Sequence, residues 1–156
     1  MISDKSTVCP INLLDIAHQK RGVRAAIINA GKPLPMLSAI DAVKENLITP
    51  IFVGNEEEIK KCADELKFDI SEYEVFHEPN ENKTAEVAAK MASKKKVKLL
   101  VKGHIHTDIL MKEVFKREHN LIKNLQNIKT ELLDIGDIIF KENDNIILII
   151  ERKTIK

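Results

Sequence analysis

The sequence predicts an α/β fold, a mostly parallel sheet with helices on both faces, followed by a C-terminal β-hairpin. Two observations carry this reading. Over roughly the first two thirds of the 156 residues, short apolar runs alternate with segments of helical period. That is the pattern of a parallel sheet covered on both sides. Beyond about residue 130 the helical period gives way to two β-rich stretches around a polar turn.

The elements follow in order. Residues 11–19 place Leu13, Leu14 and Ala17 at helical spacing, so a first helix is expected. The run RAAIIN over 24–29 reads as a buried strand, closed by Ala30, Gly31, Lys32 and Pro33. A helix over 37–47 carries Ile40, Val43 and Leu47 on one stripe, and a second buried strand covers 49–53. Asn55 reads as an N-cap, with Glu56, Glu57 and Glu58 in the first turn where the helix dipole favours negative charge. That helix runs to about Phe68. A more exposed strand over 73–77, an Ala-rich helix over 84–95, a fourth strand over 97–102 and a helix opening at Asp108 complete the alternation. Lys94, Lys95 and Lys96 fit a helix C-terminus.

Bulk properties bound the function only loosely. Twenty-five basic against 24 acidic residues give no electrostatic case for nucleic acid or a membrane surface. No apolar run approaches the ~20 residues of a membrane span, and MISDKSTVCP lacks the apolar core of a secretory signal. Cys9 and Cys62 have neither metal nor redox spacing and read as free thiols. A soluble cytoplasmic protein is the expectation.

Ligands of open parallel sheets bind beyond the carboxyl ends of the strands. Two loops occupy such positions. Residues 30–35 are stiffened by two prolines and carry Lys32. The richer loop, 102–108, combines Gly103, which permits close backbone approach, with Thr107 or Asp108 as a cap for the next helix. Exposed amides, the Thr107 hydroxyl and Lys102 together suit a phosphate or pyrophosphate. His104 and His106 alternate without a third ligand and do not read as a zinc site.

Residues 8–118 resemble the beginning of the phosphate acetyltransferase/phosphate butyryltransferase family. The matching pieces are Cys9-Pro10, RAAIINA, TPIFVG with its acidic helix, and above all VKGHIHTDILMKEV. The resemblance implies reversible acyl transfer between coenzyme A and inorganic phosphate, with coenzyme A as substrate and no further cofactor. It implies two α/β domains around a cleft, and homodimers among full-length relatives. Lys102, Gly103 and Thr107 carry over as substrate-binding residues of the anion-binding wall. The family's serine-arginine pair and aspartate have no matching positions, so the catalytic residues stay unassigned and little activity is expected of this chain alone.

The tail reads differently. TELLDIGDIIF over 130–140 and IILIIER over 146–152 flank a turn at 141–145. A hairpin centred near Asn143–Asp144 brings Asp137 roughly opposite Glu151, and register decides whether they share a face. Two carboxylates can hold Mg2+, with Lys153 orienting water. With Gly136-Asp137 paired to Glu151-Arg152-Lys153, residues 117–156 resemble the start of the nuclease domain of the XPF/Mus81 structure-specific DNA endonucleases, and that resemblance implies a metal-dependent DNA-cleaving fragment as the alternative. The expected division is a partial acyltransferase-like domain over 1–118 and a hairpin tail over 119–156, joined near 115–121 where one resemblance fades and the other begins.

Overall fold

The computed structural model describes residues 11–20, 22–121, 138–142 and 145–150. Its elements are α1 (Ile11–His18), β1 (Val23–Ile28), α2 (Pro33–Lys44), β2 (Ile48–Gly54), α3 (Glu56–Glu65), β3 (Glu74–His77), α4 (Glu81–Ser93), β4 (Leu99–Lys102) and α5 (Thr107–Val114). A 3-10 turn over Arg117–His119 follows, then β5 (Ile138–Glu142) and β6 (Asn145–Ile150). The chain separates into a unit of residues 1–123 and a second of 124–156.

The first unit is built on a four-stranded sheet ordered β3-β2-β1-β4, in which every pairing is parallel. β1 and β2 are central, and their apolar residues from Ala25 to Ile28 and from Pro50 to Val53 are buried on both faces. The strand period of two divides them cleanly. Ala25, Ile27 and Phe52 join Met36, Ala39 and Ile40 of α2 and Ile59 and Ala63 of α3 in one cluster. Ala26, Ile28, Ile51 and Val53 join Ala85, Ala88 and Met91 of α4 and Leu110 of α5 in the other. Helices therefore cover both faces, as the alternation of elements requires.

Sequence expectation and structure differ most at the start of α2. The helix expected over 37–47 begins at Pro33, so both prolines lie inside its first turn. Proline's fixed φ and missing N–H suit that turn, where the amide has no intrahelical partner. The same residues that read as a loop therefore open α2.

Caps and turns close the other helices. Asn55 accepts from the backbone N–H of Glu57 at 3.0 Å and Glu58 at 3.4 Å. Asn80 accepts from Lys83 N–H at 3.1 Å. Lys95, at φ 57°, turns the chain out of α4 in the left-handed conformation. Lys96 has a tertiary role beyond the helix end: its Nζ lies 2.7 Å from Glu74 and 4.3 Å from the centroid of the Phe76 ring. Thr84, fully buried at the start of α4, sets its hydroxyl 2.7 Å from the carbonyl of Glu78 and 2.9 Å from that of Asn80. It thereby ties the β3–α4 loop to the helix.

Beyond α5, the 3-10 turn packs back on the first unit. His119 is buried, its Nε2 3.4 Å from the nearly buried Glu113 carboxylate, which also takes Lys116 Nζ at 2.8 Å. In the second unit β5 and β6 pair antiparallel, with Glu142 opposite Asn145 and an irregularity between Phe140 and Lys141. Asp137, Glu151 and Lys153 lie outside the described residues. Among the described residues, no helix is long and apolar enough to cross a membrane.

Thr84→Val keeps the volume but removes the hydroxyl from a fully buried site. It should lower stability by about 1–2 kcal/mol. The expected reading is a lower urea midpoint at unchanged m; an unchanged midpoint would deny the hydroxyl any part in docking α4.

Candidate functional site at the carboxyl edge of the sheet

The strand order places the topological switch between β1 and β4. The chain leaves β1 for β2 on one side, and after β3 crosses back to β4 on the other. The loops after β1 and β4 thus run to opposite faces, which opens a crevice at their carboxyl ends.

Asn29 holds this crevice together. It follows β1 in the left-handed conformation, at φ 53°. Its N–H donates to Val53 of β2 at 2.7 Å. Its side-chain amide donates to the carbonyl of His104, after β4, at 3.3 Å. From the other direction, the N–H groups of Gly103 and His104 donate to the carbonyls of Ile28 and Asn29 at 2.8 and 3.0 Å. Gly103 has to be glycine here: a Cβ would stand 2.2 Å from the Ile28 oxygen and 2.6 Å from the Asn29 oxygen. The close approach expected of Gly103 is therefore to the end of β1.

The other loop residues take distinct places. Lys102, the last residue of β4, is exposed, with its Nζ 3.3 Å from the Gly103 carbonyl. Thr107 is half-buried and is the first residue of α5. The cap of that helix is His106, not Thr107 or Asp108 as the sequence suggests, and its side chain makes no cap hydrogen bond. The first-turn amides that follow, from Thr107 to Ile109, have no intrahelical acceptor by helix geometry. They offer the positive end of α5 to an anion.

An internal carboxylate already sits one residue earlier. Glu81, on the first turn of α4, accepts from the His106 N–H at 2.6 Å and lies 2.8 Å from its Nδ1. The backbone hydrogen bond, more than the ring, holds the Glu81 carboxyl below the usual carboxylate range. Sequence spacing gave no sign of this contact, because 25 residues separate the partners.

A cleft of about 110 Å³ lies along the same edge. Asn29, Gly31 and Lys32 supply one side of it, Asn55 and Glu58 another, and Pro79 and His104 complete the lining. Lys32 was legible as the cation of the 30–35 loop; Asn29, Asn55 and Glu58 were assigned only local roles by sequence. A larger open depression of about 450 Å³, beside His18, Lys20 and Lys44, lies at the opposite edge. Helix C-termini and strand N-termini meet there, and helix N-terminal amides do not. Cys62 is buried away from solvent, and desolvation, then Glu65, pushes its thiol up. It is therefore a packing residue. Among the described residues, no group of three or more His, Cys, Asp or Glu side chains is arranged to hold a metal ion.

Comparison with known proteins bears on the family and the fold. Phosphate acetyltransferase from Rickettsia prowazekii (strain Madrid E) is 30% identical over 118 residues, covering 76% of this chain and 34% of that protein. Phosphate butyryltransferase from Clostridium acetobutylicum is 32% identical over 88 residues, covering 56% and 29%. The chain is homologous to the phosphate acetyl- and butyryltransferases. That homology extends over about 70% of its length. The chain spans about one third of the curated relatives it matches. Among solved structures, the EutD phosphotransacetylase from Staphylococcus aureus superposes with a TM-score of 0.51 at 17% identity, over 63% of this chain and 39% of that one. At that identity the likeness is one of fold. No family model matches the chain.

Two outcomes follow from the edge geometry. Gly103→Ala forces a Cβ into the backbone of β1 and should cost about 3 kcal/mol, read as a fall in denaturant midpoint; a variant as stable as the parent would refute the close approach. Glu81→Gln tests the internal carboxylate. A carboxyl held low in the folded state stabilises above its unfolded pKa, near ~4.3 for glutamate. That contribution disappears as pH falls through the lower folded value. The variant's urea midpoint should therefore drop less than the parent's between pH 7 and pH 3; parallel pH profiles would exclude the contact.

Proposed function

We propose that these residues form the anion-binding wall of a phosphate acyltransferase, which exchanges an acyl group between coenzyme A and inorganic phosphate. The homology to phosphate acetyl- and butyryltransferases carries this reading. The geometry is compatible with it, since Lys102 ends β4 and Thr107 opens α5 at the carboxyl edge of the sheet, on either side of Gly103.

The chemistry asks for that arrangement. Attack of the coenzyme A thiolate on an acyl phosphate breaks the acyl–oxygen bond and releases phosphate, and the reverse reaction must bring phosphate to an acyl thioester. Either way a multiply charged phosphoryl group has to be held still while negative charge develops on the acyl oxygen. Lys102, Gly103 and Thr107 are assigned to the phosphate. Gly103 acts by holding the loop against β1, while Lys102 and the α5 amides supply the positive field. Acyl-CoA and phosphate are the substrates in this reading, and no metal ion is needed.

Groups that activate the thiol are assigned to the remainder of the longer relatives, of which this chain spans one third. The nuclease alternative gains no support from the described residues.

Purified as the 156-residue chain, the protein should bind phosphate but form little or no acyl phosphate from acetyl- or butyryl-CoA. Lys102→Ala should weaken phosphate binding about tenfold, ~1.4 kcal/mol, in a calorimetric titration. Robust turnover by the chain alone would overturn the division of labour. Phosphate affinity indifferent to Lys102 would overturn the site.

A further inference from the structure

Glu81, in the first turn of α4, meets His106 across 25 residues, just ahead of α5. One carboxylate oxygen, Oε1, engages that residue twice: it accepts the backbone N–H at 2.6 Å and lies 2.8 Å from the ring Nδ1. Two contacts from one residue to one atom fix the imidazole relative to its own backbone. The backbone bond, then the ring bond, hold the carboxyl below the usual carboxylate range, so Glu81 is an anion at neutral pH. An ionised carboxylate only accepts hydrogen bonds. Nδ1 therefore carries the proton, and the neutral ring has its lone pair on Nε2. The His106 side chain is 77% exposed, which leaves that nitrogen open at the carboxyl edge of the sheet.

The other histidines are arranged differently. His119 is buried and turns Nε2 toward Glu113. His18 meets Glu45 through Nε2 as well, at the opposite edge. His77 accepts the Glu56 N–H at Nδ1, which leaves a donor at Nε2. Among the described residues, only the His106 ring joins a carboxylate-held Nδ1 proton to an open Nε2 lone pair. That is the arrangement of a general base, and the carboxylate also steadies the imidazolium once a proton arrives. Among the described residues, Glu81 is the ring's only hydrogen-bond partner, so no acid stands opposite the base. A base without an acid suits a substrate whose leaving group departs unprotonated. Phosphate on an acyl group meets that condition, whereas an alkoxide or an amine does not.

We propose that His106, positioned by Glu81, activates water to hydrolyse an acyl phosphate. Water attacks the acyl carbon and gives its proton to Nε2. The bond from that carbon to the bridging oxygen breaks, and its electron pair leaves with phosphate. Carboxylate and inorganic phosphate result, and Nε2 then returns the proton to solvent. The substrate comes from the acyltransferase reading, on which the proposal rests for that choice; Thr107, assigned to the phosphate, is the next residue in the chain. The activity itself uses neither coenzyme A nor any group outside this chain.

Phosphate release from acetyl phosphate by the purified 156-residue chain, in water labelled with oxygen-18, tests it. Hydrolysis should outpace buffer alone by roughly tenfold or more, with the label in acetate. His106→Asn keeps a donor where Nδ1 stood and loses the base. It should hold the parent's urea midpoint while kcat falls about a hundredfold, the lower end of what general-base catalysis contributes. Glu81→Gln should lower kcat without raising KM, because it removes a negative charge that faces an anionic substrate. A raised KM at unchanged kcat would reduce the Glu81 contact to a structural tie and overturn its positioning role. Label in phosphate would place the attack at phosphorus and sink the proposal. So would a rate no faster than buffer, a rate unmoved by His106→Asn, or faster hydrolysis of acetyl-CoA than of acetyl phosphate. Phosphate titration keeps the two readings apart. Lys102-dependent phosphate binding without hydrolysis sinks only the base, and His106-dependent hydrolysis with phosphate affinity indifferent to Lys102 sinks only the wall.

Discussion

The carboxyl edge of the sheet depends on how closely β1 can be approached from both sides. Asn29 sits where the central strand ends, bonded through its N–H to β2 and through its side chain to the loop after β4. A left-handed residue is tolerated there because asparagine pays less for positive φ than a branched side chain does. Glycines flank it. Gly103 admits the β4 loop to within backbone hydrogen-bond distance, while a Cβ at Gly54 would stand 2.9 Å from the Asn29 Oδ1. Three loops are thus drawn to one residue, and every candidate ligand group inherits its position from that convergence.

The same closeness requires a thin, well-filled pair of layers beneath it. β1 contributes Ala25 and Ala26 opposite Pro50 and Ile51 of β2. On α4 the small residues Ala85, Ala88 and Ala89 are buried, so that helix can lie low over the sheet. Small side chains on the sheet and on the helix above it shorten the distance between layers, and interiors at crystal-like density leave little slack to absorb a misplaced loop. Core composition and site geometry are therefore one constraint seen at two depths.

Much of this was legible from pattern. Buried parallel strands and amphipathic helices leave periods of two and 3.6 in a sequence, and RAAIIN, TPIFV and the Ala-rich helix showed them plainly. The caps at Asn55 and Asn80 are local chemistry; the first was read directly, the second missed because the helix was begun three residues late, at Thr84. What failed was punctuation with two meanings. Pro33 and Pro35 stop a strand and also start a helix, and only the burial of Met36, Ala39 and Ile40 decides for the helix. Lys102, Gly103 and Thr107 were legible as a strand-glycine-helix signature. The partners that give that loop its shape were not: Asn29 is 75 residues from His104, and Glu81 is 25 from His106. Long-range hydrogen bonds leave no period behind.

Glu81 sharpens what the α5 terminus can hold. A helix N-terminus attracts anions without asking whether they come from solvent or from the chain itself. Here the chain supplies one, but it is spent on the His106 amide, just ahead of the helix, and leaves the next turn of amides unfilled. A phosphate at those amides would share its neighbourhood with a carboxylate already held in its charged form by hydrogen bonds. Two anions so close repel one another, so the carboxylate that Glu81 keeps at the loop works against any anion at the α5 terminus.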